Sequence, residues 1–171
     1  MKKVCAIAAA LLLFALTACG QQQPREPEGG NVQIPNPWVD CATLSEAAEL
    51  AGFDVAVPGH IEGYPNQMIQ AMVKTMIQVM YFDGDPAAES SSAVTVRKGT
   101  GEEDISGDYN EYPESKTAQI HGMDVLLKGE NGLIHCATWT RDGYSYAINA
   151  DKGLSVDVLS GTIEEMITVV G

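Results

Sequence analysis

The sequence predicts an α+β fold, an antiparallel sheet of about five to seven strands with an N-terminal and a C-terminal helix packed on one face. Three observations carry this. A short capped helix opens the folded region, a run of hairpin-linked strands fills its second half, and a capped amphipathic segment closes it. Helices at the ends of a strand run must cover one apolar sheet face, which leaves the other face to solvent.

The opening helix is predicted over residues 43–51. Thr43-Leu44-Ser45-Glu46 fits a capping box, in which the threonine oxygen and the glutamate each satisfy an exposed backbone amide. Leu44, Ala47, Ala48 and Leu50 or Ala51 form the apolar stripe, and Gly52 stands where a left-handed C-cap is wanted. Phe53-Asp54-Val55-Ala56-Val57 alternates like a short strand that ends at Pro58-Gly59. From Asn66 to Phe82 two periods compete. Met68, Met72, Met76 and Met80 fit a helical stripe, whereas Ile77, Val79 and Tyr81 alternate. Residues 76–82 are expected as a strand and 66–73 stay open between helix and strand.

Ala93 to Arg97 reads as another strand, and residues 98–114 as irregular, glycine-rich and acidic. Strands follow near 116–121, 123–128, 132–139 and 144–149, with turn signals at Gly122, Asn131-Gly132 and Asp142-Gly143. Ser155 can cap a last helix whose apolar positions are Val158, Leu159, Ile163, Met166, Ile167 and Val170.

The start of the chain carries an address rather than a fold. Lys2 and Lys3 precede an apolar run from Val4 to Leu16, too short for a stable membrane span and laid out like a secretory signal. Leu16-Thr17-Ala18-Cys19-Gly20 resembles the lipobox of bacterial lipoproteins. That resemblance implies removal of residues 1–18, diacylation of Cys19 by chains such as palmitate, and anchorage on the outer face of the cell membrane. Two acyl chains give stable anchoring where one is marginal. Residues 19–37, polar and rich in proline and glycine, read as the lipidated N-terminus and a flexible linker. Residues 38–171 are long enough for one domain with its own core.

Charge narrows the partners. The chain has 10 basic and 23 acidic residues. Cleavage before Cys19 removes Lys2 and Lys3 and no acid, leaving eight basic residues and a formal charge of −15. Such a chain repels nucleic acid and anionic headgroups, so no nucleic-acid partner is expected. The membrane is reached through the lipid anchor; the charge itself favours cations, basic proteins or simple solubility, and the protein partner considered is one of the envelope.

With Cys5 in the signal and Cys19 lipidated, Cys41 and Cys136 remain as an even pair in an exported protein. A disulfide between them is the favoured expectation, and two buried thiols the alternative.

Segments 36–53, 104–112 (DISGDYNEY) and 137–148 (ATWTRDGYSYAI) resemble the DUF4367 family, domains of unknown function in lipoproteins and membrane-linked proteins of Gram-positive bacteria. The resemblance runs from about Pro37 to the C-terminus. It implies a compartment and a fold class but no reaction.

Asp104, Ser106, Asp108 and Asn110 alternate as in a calcium loop. The pattern then departs from one, with Tyr109 at the glycine position and Ser115 where a bidentate glutamate belongs, so they are a weak calcium candidate beside the better reading of turn-forming side chains. No other metal and no cofactor is expected. Tyr109, Tyr112, Trp139 and Tyr144 could join this loop in one binding surface, or could simply pack the core and a hairpin. Four methionines suggest core filler more than a soft-metal site. His135 and Cys136 are adjacent, which on a regular strand points them to opposite faces, and no nucleophile–base or phosphate-cradling motif is present. The expectation is a non-enzymatic binding or regulatory module. A small-ligand or lipid carrier with an apolar cavity between sheet and helices is the first alternative, and an envelope enzyme with an unrecognised site the second.

Overall fold

A computed structural model describes residues 36–168. The signal segment, Cys19, the linker up to Pro35 and Val170 lie outside the described residues. The fold is α+β, built on one antiparallel sheet of eight strands with two helices. The strands are β1 (Val39–Cys41), β2 (Asn66–Met72), β3 (Met76–Phe82), β4 (Ala93–Thr100), β5 (Glu114–Ile120), β6 (Met123–Glu130), β7 (Leu133–Arg141) and β8 (Tyr144–Leu154). The helices are α1 (Leu44–Ala51) and α2 (Val156–Ile167). The sheet order is β1-β2-β3-β4-β8-β7-β6-β5, two meanders joined where β8 inserts beside β4.

The turn chemistry explains the second meander. His121-Gly122, Asn131-Gly132 and Asp142-Gly143 all have both residues at positive φ, the type I′ geometry whose twist matches a two-residue hairpin. Helix α1 starts as its sequence demands. Thr43 Oγ1 accepts from the Glu46 amide at 3.2 Å, and Glu46 Oε2 returns the favour to the Ala42 amide at 2.8 Å. Gly52, at φ 83°, donates back to the Ala48 carbonyl. Ser155 caps α2 by accepting from the Val158 amide at 3.3 Å.

Several expectations need correction. The sheet has eight strands, and β1 precedes α1, so a strand rather than a helix comes first. Residues 66–72 are a strand, because the turn at Lys74 (φ 58°) folds them onto β3. Met68 then faces Met80 and Met72 faces Met76 across the hairpin, so helical spacing here is an accident of two strands meeting. Phe53–Val57 joins no strand, since β1 occupies the place beside β2 at that edge; Phe53 and Val55 pack instead on the α1 cluster.

Both helices pack on the same side. Ala47 and Ala51 of α1 meet Ala71 and Ile77, while Leu159, Ile163 and Met166 of α2 join Val79, Val96, Trp139 and Ile148. Ile77 and Val79 alternate along β3 and so share a face. Burial of each such aliphatic side chain contributes about 1.5–3 kcal/mol. In α2, Val158 is exposed and Thr162 takes a buried place, its hydroxyl donating to the Val158 carbonyl at 2.9 Å. The opposite face is not simply solvated. The segment 101–113, which carries the chain from β4 to the far edge at β5, lies on it.

Candidate functional site

Segment 101–113 is ordered from within. The Ser106 amide donates to Asp104 Oδ1 at 2.8 Å, the Asp108 amide to Ser106 Oγ at 3.2 Å and the Asn110 amide to Asp108 Oδ1 at 2.9 Å. Alternate polar side chains thus fold three successive turns, each bonding the amide two residues on. Asp104, Ser106 and Asp108 each use a side-chain oxygen as a turn acceptor, and Asn110 donates through Nδ2 to Asp108 Oδ1 at 2.7 Å, so these side chains serve the turns first. Ser106 is buried, and its carbonyl points into the sheet. Among the described residues no three His, Cys, Asp or Glu side chains gather as a metal site.

The sheet then grips the loop. Asn149 Nδ2 donates to the Ser106 carbonyl at 2.6 Å. The Arg97 guanidinium donates through Nη1 to the carbonyls of Ile105, at 3.0 Å, and Ser106. Ser145 Oγ donates to the Gly101 carbonyl at 3.1 Å.

Arg97 is the end of a polar row crossing four strands in register, Asp40, Gln70, Gln78, Arg97. Arg97 Nε donates to Gln78 Oε1 at 3.0 Å, Gln78 Nε2 to Gln70 Oε1 at 2.6 Å, and Gln70 Nε2 to Asp40 Oδ1 at 2.6 Å. Each amide accepts on one side and donates on the other, so a half-buried cation is linked to a carboxylate three strands away. Burial lowers the pKa of Arg97. The Trp38 ring lies 5.8 Å from its guanidinium carbon.

Above this floor Tyr109 is 96% exposed, the most exposed large apolar side chain among the described residues, and it projects beside Asp108, Asn110 and Glu111. Tyr112 turns back. Its hydroxyl donates to Asp108 Oδ2 at 2.8 Å, and its ring stacks on His135 with centroids 5.5 Å apart and planes at 17°. Burial, and then this bond to a carboxylate, push the Tyr112 hydroxyl up to about 12. At Asp108 burial opposes ionisation, but the Asn110 amide, the Tyr112 hydroxyl and the Asn110 side chain outweigh it, with Lys128 helping from farther off. Its carboxyl titrates below the ordinary value.

Here the expected binding surface divides. Asp104, Ser106, Asp108, Tyr109, Asn110 and Tyr112 lie together on the loop face. Trp139 and Tyr144 lie on the helix face. Trp139 is 4% exposed and stacks on Tyr146 at 5.1 Å, and its buried Nε1 has no hydrogen-bond partner among the described residues. Tyr144 packs on Phe53 at 5.0 Å and lies 4.2 Å from the Lys98 ammonium, which donates to the Asp54 carbonyl at 2.7 Å. These rings and Lys98 line an open cleft of about 570 Å³ beside Met166. Side-chain alternation separates the two groups: Trp139 falls on the opposite face from Cys136 and the loop.

The disulfide is not formed; Cys41 and Cys136 are both free thiols. Cys41 packs beside α1 on the helix face, whereas Cys136 faces Ser106 on the loop face. Five strand spacings, about 24 Å, separate their strands, against the 4.4–6.8 Å a disulfide spans between Cα atoms, roughly. Burial pushes the Cys136 thiol up to about 11, so it is a neutral core group. A bulge between Ile134 and Cys136 breaks the alternation, which lets His135 reach Tyr112 while its neighbour meets the same loop. His135 Nδ1 is held by the Ala150 carbonyl at 3.1 Å. His121 Nε2 lies 3.1 Å from both Ser160 Oγ and the Ser160 carbonyl. A carbonyl only accepts, so Nε2 carries the proton and is no base toward that serine.

Arg97, His135, Asn149 and Asp151 take part in the loop face without any motif that announces them. Only Asn149, a polar residue among the buried positions of β8, breaks its strand's pattern. Comparison of the chain with protein-family models, with curated proteins and with solved structures finds no match in any of the three.

Proposed function

We propose that the protein is a lipoprotein anchored through Cys19 at the outer face of the cell membrane, where its 101–113 loop binds a basic envelope protein. The observation that carries this reading is Tyr109, fully presented on a loop whose backbone is held by Arg97, Asn149 and three internal turns. An aromatic side chain held out at little entropic cost is a contact residue in waiting. The acidic side chains around it favour a cationic partner. The loop also holds one of the two specific parts of the DUF4367 resemblance, the other being the hairpin at 137–148, and membership of that family belongs to the same proposal.

Binding rather than catalysis is supported by the chemistry on the page. The buried thiol is neutral, and the histidine beside Ser160 donates instead of accepting. The carrier alternative has less support, because Tyr81, Ile148, Leu159 and Ile163 are buried between sheet and helices and the cleft at Phe53, Tyr144 and Lys98 is open rather than enclosed. A photocrosslinker at Glu111, introduced in the native host, is expected to capture one basic envelope protein. Tyr109→Ala should weaken that capture, and a crosslinker at Glu49 on α1 should not reproduce it. Equal capture from both positions refutes the reading. Mass spectrometry of the mature N-terminus should find a diacylated Cys19, and an unmodified one would remove the anchor.

A further inference from the structure

Resting on the reading of the loop as a contact for a basic partner, we propose that the hollow beneath Tyr112 is a socket for one guanidinium group, an arginine side chain of that partner. The hollow holds about 330 Å³ between the loop and strands β7 and β8, and is lined by Asp108, Asn110, Tyr112, His135, Asn149 and Asp151. That is room for a side chain and its stem rather than for a large ligand.

Three features select the occupant. Two carboxylates stand at the hollow, and neither is in a salt bridge among the described residues, where the ion pairs are Arg141–Asp142 and Lys152–Asp83. An anion is repelled and a cation is wanted. Tyr112 and His135, stacked on each other, both line the hollow, and an aromatic lining favours a planar, weakly hydrated cation over a spherical, strongly hydrated one. Asn149 is held in one orientation by its bond to Ser106, and its Oδ1 is buried with no partner among the described residues. A buried acceptor left unmet is costly, and because Oδ1 is closed to solvent in the unbound protein, a donor meets it only where the loop or the amide shifts on binding. Guanidinium offers five donors in a fixed plane, enough to address a floor and a rim together. A metal ion fits less well, since no three convergent metal-binding side chains are found among the described residues.

The test uses the mature lipidated protein in detergent, titrated by NMR with three blocked tripeptides, Gly-Arg-Gly, Gly-Lys-Gly and Gly-citrulline-Gly. Citrulline keeps the shape of arginine without its charge. The arginine peptide is expected to shift the Asn149 side-chain amide and the His135 ring signals saturably. It should bind about tenfold more tightly than the citrulline peptide, and several-fold more tightly than the lysine peptide. Asp151→Asn, which keeps an oxygen acceptor for the Ala93 amide, should weaken the arginine peptide by roughly three- to tenfold without unfolding the loop. Tyr112→Leu gives a second, independent loss through the aromatic lining. Equal response to all three peptides, or arginine binding indifferent to Asp151→Asn and Tyr112→Leu, overturns the socket. Partner capture at Glu111 with no response to the arginine peptide overturns the socket alone. A selective arginine response without capture upholds the socket and removes the partner reading.

Discussion

The side-chain amide of Asn149 donates to the backbone carbonyl of Ser106 at 2.6 Å, tying a central strand to a loop 43 residues earlier in the chain. With Arg97 it fixes the loop from below. Arg97→Met should lower stability by about 1–3 kcal/mol, because Gln78 Oε1 and the Ile105 carbonyl lose their donor, and Asn149→Ala by about 0.5–1.5 kcal/mol, because the Ser106 carbonyl keeps Arg97. Denaturant midpoints measure that loss, and limited proteolysis should show faster cleavage near Tyr109. Unchanged cleavage in both variants would mean that the internal turns hold the loop unaided.

The cysteines give a second prediction. Cys41 and Cys136 should both take up alkylating reagent in denaturant without prior reduction, as read by intact mass. In the folded protein at pH 8, Cys41 should react well before Cys136, whose buried thiol is pushed up to about 11. A mass showing two protected sulfurs that reduction releases would contradict the fold.

Gly129 stands at the β6–β7 bulge, where an added Cβ would come 1.9 Å from the Leu133 carbonyl oxygen. The obstacle is backbone and cannot swing away. Gly129→Ala should therefore destabilise by about 3 kcal/mol, the upper part of the range for overpacking, checked by thermal or urea unfolding. By contrast Tyr109→Ala should leave the midpoint unchanged, since the ring touches almost nothing.

Asp108 gives a pH dependence of definite sign. Its folded pKa is depressed, so the stability it contributes is present above the unfolded value, about 3.9, and is lost as pH falls through the folded one. Asp108→Asn should be less stable than the parent at pH 7, and the difference should shrink below about pH 4, where the parent's carboxylate also becomes neutral. Melting curves from pH 7 to pH 3 read this directly. A gap that widens on acidification would contradict the assignment.

Local chemistry was legible because it is written in neighbours. The Thr43 cap, the Gly52 stop, the turns at Gly122, Asn131-Gly132 and Asp142-Gly143 and the Ser155 cap each depend on residues a few positions apart, and each forms where it was read. The competing periods at 66–82 resolved toward strand because pairing Met68 with Met80 completes a backbone ladder that an isolated helix would not. The strand expected at 53–57 failed for the complementary reason: it has alternation but no edge left to join.

What the sequence by itself determined is the class, both helix N-caps and the Gly52 stop, the hairpins and the alternating turn formers of the loop, all short-range consequences of propensity and capping. What only the tertiary structure decided is which groups share a face. Two thiols that looked paired lie across the sheet from each other, and Trp139 and Tyr144 are parted from the loop they were expected to join. Arg97, Asn149 and His135, which no motif brings together in the sequence, meet beneath that loop. The reason is physical. Strand order and the bulge at His135 are fixed by burying one continuous apolar face, and that constraint couples residues across the whole chain rather than along it.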